Sequence, residues 1–111
     1  MRWVERVPTE AVACGSGALD VQADSETLAL QISKLAASAY VTEQVSAAVS
    51  RSLRDSAELR QKLAPLPSPD LVYVLGSPVQ LPGSVWRIPF SAFAVPRVAS
   101  TDQKQSPASR G

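Results

Sequence analysis

The chain has 111 residues, 45% of them apolar and 19% charged, with a net charge of +1. That length allows one domain whose core stands without metal or disulfide support, and the near-neutral charge excludes a general attraction to nucleic acid or an anionic membrane. The absence of histidine and the single cysteine, Cys14, exclude Cys-His and Ser-His catalytic pairs, the commonest zinc ligand and an intrachain disulfide.

Residues 2–7, RWVERV, alternate loosely and stop at Pro8, which predicts a short edge strand. A second short strand is expected over residues 11–13, ending in a turn at Gly15-Ser16-Gly17; residues 18–21 fit neither pattern clearly. From Ala18 to Ala64 the chain runs 47 residues without Gly or Pro, a helix-permissive stretch. Asp24, Ser25 and Glu26 suit a helix start, because a short side-chain oxygen caps free backbone N–H groups and early acids favour the positive end of the helix dipole. Leu28, Ile32, Leu35 and Ala39 then line one face. A second stripe of Val41, Val45, Val49 and Leu53 is shifted in phase, and Asp55 with Glu58 resembles a capping box. One helix over the whole stretch would reach about 58 Å at 1.5 Å per residue, too long for a domain of this size. Two helices, about 26–38 and 42–62, are therefore expected.

Seven of the nine prolines fall in the next 32 residues. Pro65 to Pro69 predicts a stiff extended linker. The unbroken apolar run Leu71–Leu75, LVYVL, predicts a strand buried on both faces. Gly76-Ser77-Pro78 and Pro82-Gly83 predict turns around a short strand at Val79–Leu81, and Val85–Val95 reads as a strand interrupted at Pro89. From Ala99 the composition is polar and small, which predicts a disordered tail over residues 99–111.

These elements amount to an α+β domain over residues 1–98: two amphipathic helices on a small, irregular, mostly antiparallel sheet. Leu28, Ile32, Leu35, Val45, Val49, Leu53, Leu71, Val72, Val74, Leu75, Trp86, Ile88 and Phe90 are the expected core. Glu5, Pro8 and Glu10 interrupt any secretory run, and no stretch approaches the roughly 20 apolar residues of a membrane span. A soluble, cytoplasmic protein without membrane contact is expected.

No motif carries chemistry. Cys14-Gly15-Ser16-Gly17 lacks the Lys-Ser/Thr ending of a P-loop and reads as a plain turn. Asp20, Asp24 and Glu26 fail the calcium-loop pattern, and helix-start electrostatics accounts for the last two. No metal, cofactor or catalytic residue is therefore expected, and the chain is read as non-enzymatic.

Two binding readings remain. Prolines at 78, 82, 89 and 96 break the C-terminal half, and its apolar surface carries few charges, so it is expected to be covered by its own helices or by another protein. Val79, Leu81, Trp86, Arg87, Phe90 and Phe93 are the candidate partner-binding residues, giving an interaction or assembly subunit of a larger complex or homo-oligomer. The alternative rests on residues 45–56, VSAAVSRSLRDS, which resemble the recognition helix of repressors of the lactose-operon type. That resemblance implies a helix-turn-helix in which Ser50, Arg51 and Arg54 meet DNA. The two Val-Ser pairs stand one residue closer than in that family, and Ala39-Tyr40-Val41 replaces its small-residue turn. Mixed charges at Arg51, Arg54, Asp55 and Glu58 equally describe a solvated helix face.

Overall fold

A computed structural model of the protein describes residues 1–35, 38–66 and 69–96. In chain order it contains β1 (Arg2–Trp3), β2 (Val12–Gln22), α1 (Glu26–Ser33), α2 (Ala39–Asp55), α3 (Ala57–Leu63), β3 (Asp70–Leu75), β4 (Val79–Leu81) and β5 (Val85–Val95). The fold is α+β, with a sheet antiparallel except where the edge strand β1 runs parallel to β3. The expected tail at 99–111 and part of the expected linker, Pro67 and Ser68, lie outside the described residues.

Three helices replace the expected two, and local chemistry sets each boundary. Ser25 caps α1, its Oγ accepting the Leu28 N–H at 3.2 Å. At the other end Ser33 donates its hydroxyl back to Ala29 O at 2.9 Å, while its carbonyl accepts the buried Tyr73 hydroxyl at 2.7 Å. Tyr73 thus satisfies one of the carbonyls a helix end leaves open, and α1 stops at Ser33 rather than near 38. The break between α2 and α3 falls at Ser56, which takes an extended conformation and accepts the Leu59 N–H at 3.1 Å. Ser56, not Asp55, is the cap. Arg60 reaches back to donate to the Leu53 and Arg54 carbonyls at the end of α2.

The sheet order is β1-β3-β5-β2, with β4 also paired to β5. β2 runs along one side of β5, while β3 covers residues 90–95 and β4 residues 85–87 on the other. Contrary to expectation, β5 passes through Pro89 unbroken for 11 residues. The Pro89 carbonyl accepts the Gly76 N–H at 2.8 Å, so the backbone of Pro89 faces the β3–β4 side. Its missing N–H therefore points to that same side, where only the return bond to Gly76 is forgone, and the pairing with β2 loses nothing. Gly83, at φ +81°, and Ser84, at φ +59°, turn the chain from β4 into β5 as expected of Pro82-Gly83.

β2 is likewise one strand of 11 residues, not a strand and a turn. Its register slips between Ala13 and Gly15, making Cys14 the extra residue of a β-bulge. The two glycines serve packing. A Cβ on Gly15 would sit 3.0 Å from the Ala48 backbone, and one on Gly17 would sit 2.9 Å from the Phe90 ring.

The helices lie on one face of the sheet. Val41, Val45, Ala48 and Val49 of α2 meet Cys14, Leu19, Val21, Tyr73, Ile88, Phe90, Ala92 and Ala94 in a core of mostly small side chains. Val45, Val49, Val72, Ile88 and Phe90 are buried as expected, and Ile32, Leu53, Leu71, Leu75 and Trp86 pack on the core while partly exposed. Leu28 and Leu35 do not belong to it, being 42% and 57% exposed. The reason is that α1 docks through Ala29 and Ser33, which rotates Leu28 outward, and ends before Leu35. Val74 sits on the opposite face of the sheet, paired with Ser91. Val72 shares that face and is fully buried while Val74 is partly exposed, so the expected burial of β3 on both faces holds at Val72 and Tyr73.

Because Gly15 faces helix backbone, which cannot give way, Gly15→Ala should cost about 1–3 kcal/mol in urea denaturation. Ser16→Ala, one residue along on the exposed side, should change stability by no more than about 0.5 kcal/mol. Equal effects would contradict the close approach of α2.

Candidate functional site

Alternation along β5 divides the expected partner-binding residues between two faces. Trp86 and Phe90 point to the helices with Ile88, Ala92 and Ala94. Phe90 is 3% exposed and Trp86 donates its indole N–H to Ala23 O at 3.2 Å, so both serve the core rather than a partner. The other four share the helix-free face. Val79 lies opposite Arg87, Leu81 opposite Val85, and Phe93 opposite Val72. The signal was available in the sequence: an uninterrupted two-residue period from Val85 to Val95 separates these sets, and only the presumed break at Pro89 conceals it.

Arg87 makes a two-pronged ion pair on this face, its Nε 2.8 Å from Asp20 Oδ1 and its terminal nitrogen 3.0 Å from Oδ2. The hydrogen bonds hold the Asp20 carboxyl below its ordinary value and the Arg87 guanidinium above it. Both groups are about half exposed, so solvent screens the pair. Its consequence is local neutrality: Val79 opposite Arg87, and Val85 and Pro89 two residues to either side on the same face, flank a charge that is already matched. Asp20 is thus committed to Arg87 rather than to a cluster with Asp24 and Glu26. Among the described residues no three His, Cys, Asp or Glu side chains gather as a metal site.

The second feature is the outer edge of β2. The Asp20 N–H turns away from β5 and donates to the Tyr40 hydroxyl of α2 at 3.0 Å. In an antiparallel ladder this parity puts the N–H and C=O of Ala18 and Ser16 on the outer edge as well. Beside that edge, residues 13–16 of β2, Ser91 and Phe93 of β5 and the α2–α3 corner line a recess of about 450 Å³. Ser52, Ser56 and Leu59 form its helical wall, and the Glu58–Lys62 pair, 3.8 Å apart, stands at the same wall.

No protein-family model, curated protein or solved structure matches this chain.

The helix resembling a DNA-recognition helix has a different setting from the one implied. Residues 45–55 are the interior and end of α2, which begins at Ala39, so no turn precedes Val45. Ser50, Arg51 and Arg54 are exposed on its outer side, and Asp55 stands 3.9 Å from Arg54. Among the described residues, no helix is long and apolar enough to cross a membrane.

Cys14 lines the recess yet is only 1% exposed, and burial pushes its thiol up to about 11 from an ordinary 9.0. The folded chain keeps this proton where the unfolded chain loses it, so stability should fall as pH rises from about 9 to about 11. Burial raises the Tyr73 hydroxyl too, which acts in the same direction. Native protein at pH 8 should resist iodoacetamide and label fully in denaturant. Rapid native labelling would contradict the buried bulge.

Proposed function

We propose that the protein is a non-enzymatic interaction or assembly subunit that presents the helix-free face of its sheet to another protein. One observation supports this reading above the rest. The solvated face of an antiparallel sheet ordinarily carries polar residues in alternation. Here the outward positions of β3, β4 and β5 that stay at least partly exposed include Val74, Val79, Leu81, Val85, Pro89, Phe93 and Val95, against the polar Asp70 and Ser91, and Asp20 of β2 neutralises Arg87. Val79 is 55% exposed at the open end of this face. Apolar surface with its charge already matched gains by being covered and loses little on desolvation.

The DNA-binding alternative has weaker support. Its cations stand on an unbroken helix among acids, and the net charge of +1 supplies no field.

The two readings separate by photo-crosslinking in the native host. A photoreactive residue replacing Val79 should give a discrete protein adduct, either with a second copy or with a partner. The same residue at Ser50 should give none. Val79→Glu should remove the assembled species while changing folding stability by about 0.5 kcal/mol or less, because the site is exposed. A nucleic-acid adduct from Ser50 with none from position 79 would reverse the assignment.

A further inference from the structure

We infer that the outer edge of β2, between Tyr40 and α3, is a strand-addition site for an extended, uncharged segment of a partner protein. This surface adjoins the helix-free face at Ser91 and Phe93, which also line the recess, and its test reads Ser16, Ala18, Ser52 and Leu59, residues on which the proposed function does not rest.

The argument begins with backbone parity. Asp20 donates outward to Tyr40, and Ala23 donates to Ser84 on the other side, so even-numbered residues from 16 to 22 face out and odd-numbered ones face β5. The outward N–H groups of Ser16 and Ala18 have no protein partner among the described residues. Exposed strand edges pair readily with foreign strands, and folded proteins blunt them with bulges or covering side chains. This chain blunts both ends of the edge: Tyr40 lies on Asp20, and the bulge at Cys14 distorts the ladder before Gly15. Between those two guards the edge is open.

What fits there follows from the chemistry. Ser16 and Ala18 offer an N–H and a C=O each, repeating at about 7 Å along the strand, a pattern matched by another extended backbone. Ser52, Ser56 and Leu59 form the second wall of a recess about 450 Å³ in volume, so an added strand would lie between sheet edge and helix. Side chains turned to that wall meet two hydroxyls and one leucine. Glu58 and Lys62 neutralise each other, so the wall selects for an uncharged segment. A second copy fits less well, because pairing β2 with β2 would bring a second Tyr40 and a second α3 into the same narrow strip.

The probe is a displayed library of random dodecapeptides, from which the best binder is synthesised with both ends capped. It should shift the amide resonances of Ser16, Ala18, Ser52 and Leu59. N-methylation of its alternate amides in one phase should weaken binding at least about tenfold, and in the other phase hardly at all. Ala18→Pro removes an outward N–H without touching the bonds to β5 and should abolish binding. Ser52→Arg, which fills the recess from the helix side, should weaken binding at least about tenfold and decides the matter if Ala18→Pro fails to fold. The inference is overturned by a library that yields no binder, by binders that shift only Val79 and Arg87, or by binders that tolerate N-methylation in both phases. A β2-mediated dimer dissolved by Ala18→Pro would also overturn it, assigning the edge to a second copy.

Discussion

Among the described residues every antiparallel pairing passes through β5, and β5 has a proline near its centre. The sheet exists because Pro89 turns its donor-less side toward the gap between β3 and β4, where its carbonyl still takes the Gly76 N–H at 2.8 Å. A slip of one residue would reverse this. It would aim the missing donor at β2, carry Arg87 into the core and expose Ile88 and Phe90. Register is therefore fixed by two independent requirements at once, the hydrophobic alternation and the position of one imino group.

That fixed register also determines how closely the helices approach. Ala92 and Ala94 of β5, Gly15 of β2 and Ala48 of α2 bring helix and sheet backbones into near contact, which compensates for a core with few large side chains. Helices on one face leave the other to be covered differently. β1 and β2 are parallel, as are β2 and β3, and the two connections cross the sheet in opposite directions. On that other side Val72 is fully buried, whereas Val79 is 55% exposed. The open portion of that face is then the end around Val79, Leu81 and Arg87, the same residues on which the interaction reading rests.

Much of the fold was legible in the sequence because local rules governed it. Ser25 as a cap, the Val45–Val49 stripe, the LVYVL strand with Val72 and Tyr73 buried on its two faces, and the Pro82-Gly83 turn all follow from side-chain chemistry within a few residues. The differences in the strands share a cause. Gly15, Gly17 and Pro89 read locally as punctuation, which is their commonest meaning, whereas here each answers to a neighbour distant in sequence: Ala48, Phe90 and Gly76. Tyr40 guarding Asp20, and Tyr73 closing α1 through Ser33, are contacts between residues 20 and 40 positions apart, and no periodicity announces them. Four of the six partner-binding candidates share one surface, and the two that do not were misplaced by losing the strand phase at Pro89.

Residue-resolved amide hydrogen exchange tests the continuity of β5 most directly. Ile88 and Phe90 flank Pro89 and both face β2, so the account predicts slow exchange at both, with similar protection, and rapid exchange at Ser16 and Ala18 on the outer edge. Fast exchange at Ile88 together with protection at Phe90 would mean that the strand ends at the proline, and the register, the two faces and the open edge would fall with it.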